Sequence, residues 1–321
     1  MARAPFGSHD FTFTFGLRSH PRGSAQKLPL ARGVLLCAGG GLDRRTGTDG
    51  SHFGQHLRNQ VPLWPVPVPW GPCLRLPCWG EQPADPPPAL TVPLRQVFFH
   101  DVEVLAQKLL PTVEAMQKLF SAGAGSYYAD SIFFLSVAMH HIMPKEILRI
   151  VQVDLDVEYR ANIRELFQEF DNFPEGAVIG IAREMQPVYR HIFWQYRQEH
   201  PGTKVGEPPP DGLPGFNSGV LLLNLEAMRQ SELYNRLLEP AVVQQLANKF
   251  HFKGHLGDQD FFTLVGMEHP ELFHVLDCTW NRQLCSWWRD HGYSDIFEHY
   301  FRCDGHVRIY HGNCNTPIPT E

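Results

Sequence analysis

The stretch Ile147-Leu148-Arg149-Ile150-Val151-Gln152-Val153-Asp154-Leu155-Asp156 decides the fold. Ile147, Ile150, Val151 and Val153 are β-branched, and so short an apolar run fits a buried strand. The run passes without a break into two carboxylates at i and i+2. In open α/β sheets, ligands bind beyond the carboxyl ends of strands. Two such carboxylates repel one another unless a cation neutralises them. Hard oxygen donors select Mg²⁺ or Mn²⁺, and such ions usually hold substrate phosphates as well. An acidic surface turn is the ordinary alternative, so the pair needs companions.

Outward from this strand the pattern alternates. On its N-terminal side Val102, Leu105, Leu109, Val113, Met116 and Phe120 share one helical face, which Pro111 should kink or split. Tyr127 to Ile142 reads as a second, largely buried helix closed by Pro144. On the other side Ile163, Leu166, Phe167 and Phe170 repeat at helical spacing. Ala177–Ala182 and Phe216–Leu225 read as strands, separated by a Pro/Gly loop at Glu207–Pro214. A helix follows to about Leu238, and two further short strands lie at Phe273–Leu276 and Val307–Tyr310. Strands alternating with helices predict an α/β domain, a mostly parallel sheet flanked by helices. No internal repeat is visible.

The first 95 residues differ. They hold 14 of the 27 prolines and 12 of the 27 glycines and carry a net charge of +5, which leaves −11 on the remainder of a chain whose total is −6. Val61–Trp70 and Pro83–Pro88 are too proline-dense for a helix or a central strand. The composition predicts a Pro/Gly-rich leader with little fixed structure over 1–95 and an ordered domain over 96–321. A Pro-rich ligand for aromatic grooves is the functional alternative for the leader. Val34–Gly41 is strand-like and ends in glycines, but no helix follows it. The mild acidity excludes nucleic-acid binding by bulk positive charge. No stretch approaches the ~18 apolar residues of a membrane span, and Met1–Arg22 lacks the apolar core of a signal peptide.

A strand ending in Asp-x-Asp serves two familiar chemistries. One is phosphomonoester hydrolysis with Asp154 as nucleophile; Val157 and Asp258/Asp260 can be fitted to it, but no lysine is well placed between them. The other is metal-assisted transfer of a sugar from a nucleoside diphosphate, and its companions are present. They are Pro214-Gly-Phe-Asn-Ser-Gly-Val-Leu-Leu-Leu-Asn-Leu225, His255-Leu-Gly-Asp-Gln-Asp260, Thr279-Trp-Asn281 and Ile309-Tyr-His-Gly-Asn313. In this order, behind Asp154-Leu155-Asp156, they make the chain resemble the family-8 retaining glycosyltransferases of GT-A fold, from about residue 97 onward.

The resemblance implies roles residue by residue. Asp156 and His311 would hold the metal, with Asp154 on the ion, the ribose or both. Mn²⁺ suits this mixed oxygen and nitrogen set better than Mg²⁺. Asn217, Ser218 and Gly312 would face the donor sugar or nucleotide. Asp258 would hold a donor hydroxyl, and Gln259 would lie beside the anomeric carbon. Trp287 and Trp288 would offer flat walls to an acceptor. The resemblance is nearest to the family's xylosyltransferase branch. It implies UDP-xylose as donor, α-1,3 transfer to xylose on O-glucosylated EGF-like repeats of Notch type, and an anchored enzyme of the endoplasmic reticulum lumen. Two departures stand out: the family's N-terminal anchor and its first strand–helix nucleotide-binding unit are not recognisable, so the N-terminal part of the sheet reads as missing. A truncated, inactive chain that at most binds an EGF-type partner is the alternative.

Cys278, Cys285, Cys303 and Cys314 cluster within 37 residues, without the CxxC spacing of a zinc site. Buried free thiols and three disulfide pairings are all open to such a cluster. The lumenal residence that the resemblance implies favours two bridges, with Cys278–Cys303 and Cys285–Cys314 preferred.

Overall fold

A computed structural model describes residues 10–17, 35–40, 96–121 and 131–320. The chain divides into a unit of residues 1–8 and 41–93, outside the described residues, and a unit of residues 9–40 and 94–321, which contains all of the described residues.

The deciding stretch forms strand β4, Arg149–Val153, in the middle of a seven-stranded sheet. Its companions are β1 (Asp10–Leu17), β2 (Leu35–Gly40), β3 (Gln96–Asp101), β6 (Ile179–Arg183), β7 (Phe216–Asn224) and β8 (Phe273–Leu276), in the order β3-β1-β2-β4-β7-β6-β8. Five strands, β1, β3, β4, β6 and β8, run one way, and β2 and β7 run the other. The α/β reading holds, and most strands do share a direction. The two reversed strands are interleaved among them, however, so most hydrogen-bonded neighbours are antiparallel. Residue pattern marks a strand as buried but does not state its direction.

The continuous apolar runs of β4 and β7 follow from burial on both faces. Alternate residues point to opposite sides. Ile150, Leu221 and Leu223 join a large core that includes Val113, Met116 and Phe120. Val151, Val153, Val220 and Leu222 join a smaller one with Leu166, Leu276, Trp280 and Ile309. Each such side chain contributes roughly 1.5–3 kcal/mol by leaving water.

The helical stripe ahead of β4 is split as its proline demands, into Val102–Lys108 and Leu110–Phe120 with Pro111 in the first turn of the second. The helix expected over Tyr127–Ile142 is not continuous. Its described part comprises short turns at Ser131–Phe134, Ser136–Ala138 and Met139–Ile142. Ala138 leaves the helical region at φ −128°, ψ 26°, and the Ser136 hydroxyl is drawn away to Asp258. Within the leader, Asp10–Leu17 and Leu35–Gly40 depart from the expectation of little fixed structure. The Phe/Thr alternation of Phe11–Phe15 supplies a strand's period of two, and β2 pairs with both β1 and β4. Val61–Trp70 and Pro83–Pro88 lie outside the described residues.

A second, three-stranded sheet, β5 (Val157–Tyr159), β10 (Ile309–His311) and β9 (Arg282–Gln283), stands beyond the carboxyl end of β4. Its surroundings are stapled by Cys278–Cys303 and Cys285–Cys314, the preferred pairing. Among the described residues, no helix is long and apolar enough to cross a membrane.

Candidate active site

The site forms where β4, β7 and β10 converge. The Asp154 amide donates to the Gly219 carbonyl at 2.9 Å, which ties the end of β4 to β7. The Gly312 amide donates to the Asp156 carbonyl at 2.7 Å, and His311 pairs with Val157 across β10 and β5. Residues 155 positions apart are thereby set side by side. His311 Nε2 lies 3.4 Å from Asp156 Oδ1 and 3.7 Å from Asp154 Oδ2. One ligand atom from each of the three falls within 4.8 Å of the others. The carboxylates are half-exposed while the imidazole is buried.

This set fits a divalent cation. His311 Nδ1 is 3.0 Å from Asn281 Oδ1, an acceptor-only atom, so Nδ1 carries a proton and Nε2 is the ring nitrogen that faces the carboxylates. Gly219 makes room for the ring: a Cβ there would lie 2.2 Å from His311 Cε1. Burial alone would lower the His311 pKa, but the Asp156 hydrogen bond and the charges of Asp154, Asp156 and Glu184 raise it overall. The proton so favoured is the one on Nε2, and a cation held there would take its place while Nδ1–H stays on Asn281.

Behind the triad lies a buried polar network. Asn281 Nδ2 donates to Asn217 Oδ1 at 2.9 Å, and the Gly219 amide donates to the same oxygen at 3.1 Å. Asn217 Nδ2 and Gln259 Nε2 both donate to Glu184 Oε2, each at 3.1 Å. The Ser218 amide donates to Gln259 Oε1 at 3.3 Å. Asp258 accepts from the Ser136 hydroxyl at 2.5 Å and the Ser218 hydroxyl at 3.0 Å. Burial pushes the carboxyls of Glu184 and Asp258 each up to about 7, and the charge of Asp154 adds to the effect at Asp258.

Of the residues singled out from sequence, Asp154, Asp156, Asn217, Ser218, Asp258, Gln259, His311 and Gly312 thus meet in one neighbourhood. Asp260 turns inward instead. It accepts from the Leu256 amide at 2.7 Å and from the Tyr189 hydroxyl at 2.9 Å, serving the helix start Asp258–Glu268. Trp287 and Trp288 form a separate aromatic group with His291, His191 and Tyr293. Trp287 is exposed. Glu184 carried no role in the sequence reading. Its signal was available, since it follows the carboxyl end of β6 as Asp154 follows that of β4.

No protein-family profile matches the chain. The mouse (Mus musculus) protein described as "Xyloside xylosyltransferase 1" is 78% identical over 226 residues, 70% of this chain and 58% of that protein. The crystal structure of the mouse protein in apo form is 79% identical and superposes with a TM-score of 0.68, covering 70% of this chain and 77% of that one. The chain belongs to the xyloside xylosyltransferase family. The human (Homo sapiens) xyloside xylosyltransferase 1 is likewise 78% identical over 226 residues, and the chain spans 58% of its length. The α/β fold is therefore that of a solved xyloside xylosyltransferase.

Proposed function

We propose that this chain is a divalent-metal-dependent retaining glycosyltransferase that moves xylose from UDP-xylose, in α-1,3 linkage, onto xylose borne by O-glucosylated EGF-like repeats. The observation that carries the reading is the Asp154–Asp156–His311 group, assembled from two distant segments at a strand's carboxyl end. Asp154, Asp156 and His311 would hold the ion, Mn²⁺ in preference to Mg²⁺. Bound there, it would neutralise the charge that develops on the departing diphosphate.

The protein's own groups supply the rest. Asp258, which accepts from two hydroxyls, would hold a donor hydroxyl, and Asn217, Ser218 and Gly312 would frame the donor side. Gln259 is a neutral amide and a poor nucleophile, so the reading is front-face substitution. The bond from the anomeric carbon to phosphate breaks and the bond to the acceptor oxygen forms on the same face. The acceptor proton passes to the leaving phosphate oxygen. The carbonyl oxygen of Gln259 steadies the positive charge at the anomeric carbon. Trp287 and Trp288 would present apolar walls to the acceptor, and the setting would be the lumen of the endoplasmic reticulum, where the two disulfides persist.

One observation favours a second reading, a chain that holds the ion but does not transfer. β2 runs antiparallel to β4 with Leu35 opposite Val153 and Gly39 opposite Arg149. Its glycines thus lie at the end of the sheet away from Asp154. Purified chain incubated with UDP-xylose and a xylosyl-glucosyl EGF-like repeat separates the two. Mn²⁺-dependent gain of one pentose supports transfer. A folded, Mn²⁺-binding chain that leaves the repeat unmodified supports the second reading.

A further inference from the structure

We propose that Glu184 is a positioning residue that fixes which end of the Gln259 amide faces the donor side of the cleft. The inference rests on the reading of Gln259 given above and adds a group that reading does not use. Glu184 is buried, and its oxygens receive three donors. Oε1 accepts from the Gln186 amide at 3.0 Å, and Oε2 accepts from Asn217 Nδ2 and Gln259 Nε2. A primary amide has a donor end and an acceptor end of opposite partial charge. Holding Nε2 of Gln259 against a carboxylate directs Oε1, the electron-rich end, toward Ser218. That is the polarity needed beside a developing positive charge; a turned amide would present N–H groups of the wrong sign.

The two side-chain amides on Glu184 are not equally secured. Asn217 is pinned at its other end by the Gly219 amide at 3.1 Å and by Asn281 Nδ2 at 2.9 Å, and Asn281 in turn faces His311. This arm keeps its direction without help from Glu184. Among the described residues, Gln259 Oε1 is met by the Ser218 amide at the longer distance of 3.3 Å, and the Gln259 side chain also interacts with the Tyr189 hydroxyl. Replacing the carboxylate by an amide leaves one acceptor oxygen for three donors. The main-chain Gln186 N–H cannot turn and Asn217 is held, so Gln259 is the group that yields.

Glu184→Gln therefore separates positioning of Gln259 from metal binding. In the purified full chain, the side-chain amide of Gln259 is followed by ¹⁵N-edited NMR, assigned by its loss in Gln259→Leu, and Mn²⁺ affinity is followed by electron paramagnetic resonance. In the unaltered chain the Gln259 NH₂ should be shifted and protected from exchange. In Glu184→Gln it should lose that shift while Mn²⁺ is still bound, with no more change in affinity than the loss of the Glu184 charge near His311 brings. Transfer should lose kcat by on the order of 10²-fold with the KM for UDP-xylose unchanged, and the variant should add little to the loss in Gln259→Leu. A free, rapidly exchanging Gln259 NH₂ in the unaltered chain overturns the proposal, and this holds even where Glu184→Gln does not fold. So does a Glu184→Gln chain with an unaltered Gln259 signal. A chain that transfers nothing removes the functional reading, while the NMR result still decides the role of Glu184.

Discussion

The same spacing, aspartate at i and i+2, occurs twice around this cleft, with opposite outcomes. In Asp154-Leu155-Asp156 both carboxylates are half-exposed beyond a strand end and converge with the His311 imidazole. In Asp258-Gln259-Asp260 both are buried at a helix start. There each carboxyl group has its own hydroxyl or main-chain donors, and its pKa rises to about 7. The first pair shares one space and invites a cation. The second is divided between two directions, Asp258 toward Ser218 and Asp260 toward Tyr189, so it makes no shared site. Spacing alone does not make a metal site; the backbone that aims the two side chains does.

The largest expected difference between the pairs is in catalysis. Asp156→Asn should lower transfer by roughly 10²–10³-fold and abolish Mn²⁺ binding. It should leave the chain folded with thermal stability little changed, because relief of like-charge repulsion with Asp154 offsets the lost contact with His311. An Asp156→Asn chain that unfolds would mean the first pair is structural after all.

The disulfides come next. Their sequence separations are 25 and 29 residues, and loops of that size make each bridge worth about 3 kcal/mol. Replacing either pair by serine should lower the unfolding free energy by that order in denaturant titrations. Cys285–Cys314 should also weaken Mn²⁺ binding, because the Cys285 amide donates to Asn313 two residues beyond His311.

A smaller effect is expected at Gly219. The Cβ of Gly219→Ala would enter the His311 ring, costing roughly 1–3 kcal/mol and Mn²⁺ affinity together. Equal loss of stability without loss of affinity would show that the ring has room to move aside and still reach the ion.

A further effect concerns pH. The folded-state pKa of Asp260 is raised by burial from 3.8 to about 7. Its contribution to stability is complete below about pH 4 and lost as pH rises through 7. Asp260→Asn removes that dependence, and the Tyr189 hydroxyl can reverse to accept from the new amide. Melting temperatures of the variant should fall less steeply between those limits than those of the unaltered chain. An identical slope would place Asp260 among ordinary solvated carboxylates.

Much of this was legible in the sequence. β4, β7 and the split helix at Pro111 follow from buried β-branched runs and a single imino acid. The metal-site candidates followed from a strand-end motif together with a resemblance. Strand direction was not legible, because β2 and β7 carry the same apolar pattern either way round. Residue type and spacing alone do not separate Asp260 from Asp258; the resemblance gave the donor hydroxyl to Asp258, and where the helix start turns each carboxyl became visible only in the structure. Glu184 was passed over because a lone glutamate after a strand is commonplace. What distinguishes it is convergence with Asn217 and Gln259, 33 and 75 positions away.

The most direct test of the account is Mn²⁺ binding by the purified chain without donor, in three forms: unaltered, Asp156→Asn and Asp260→Asn. The account predicts one ion bound by the unaltered chain and by Asp260→Asn, and none by Asp156→Asn. An ion held equally well by Asp156→Asn, or lost only in Asp260→Asn, would contradict it.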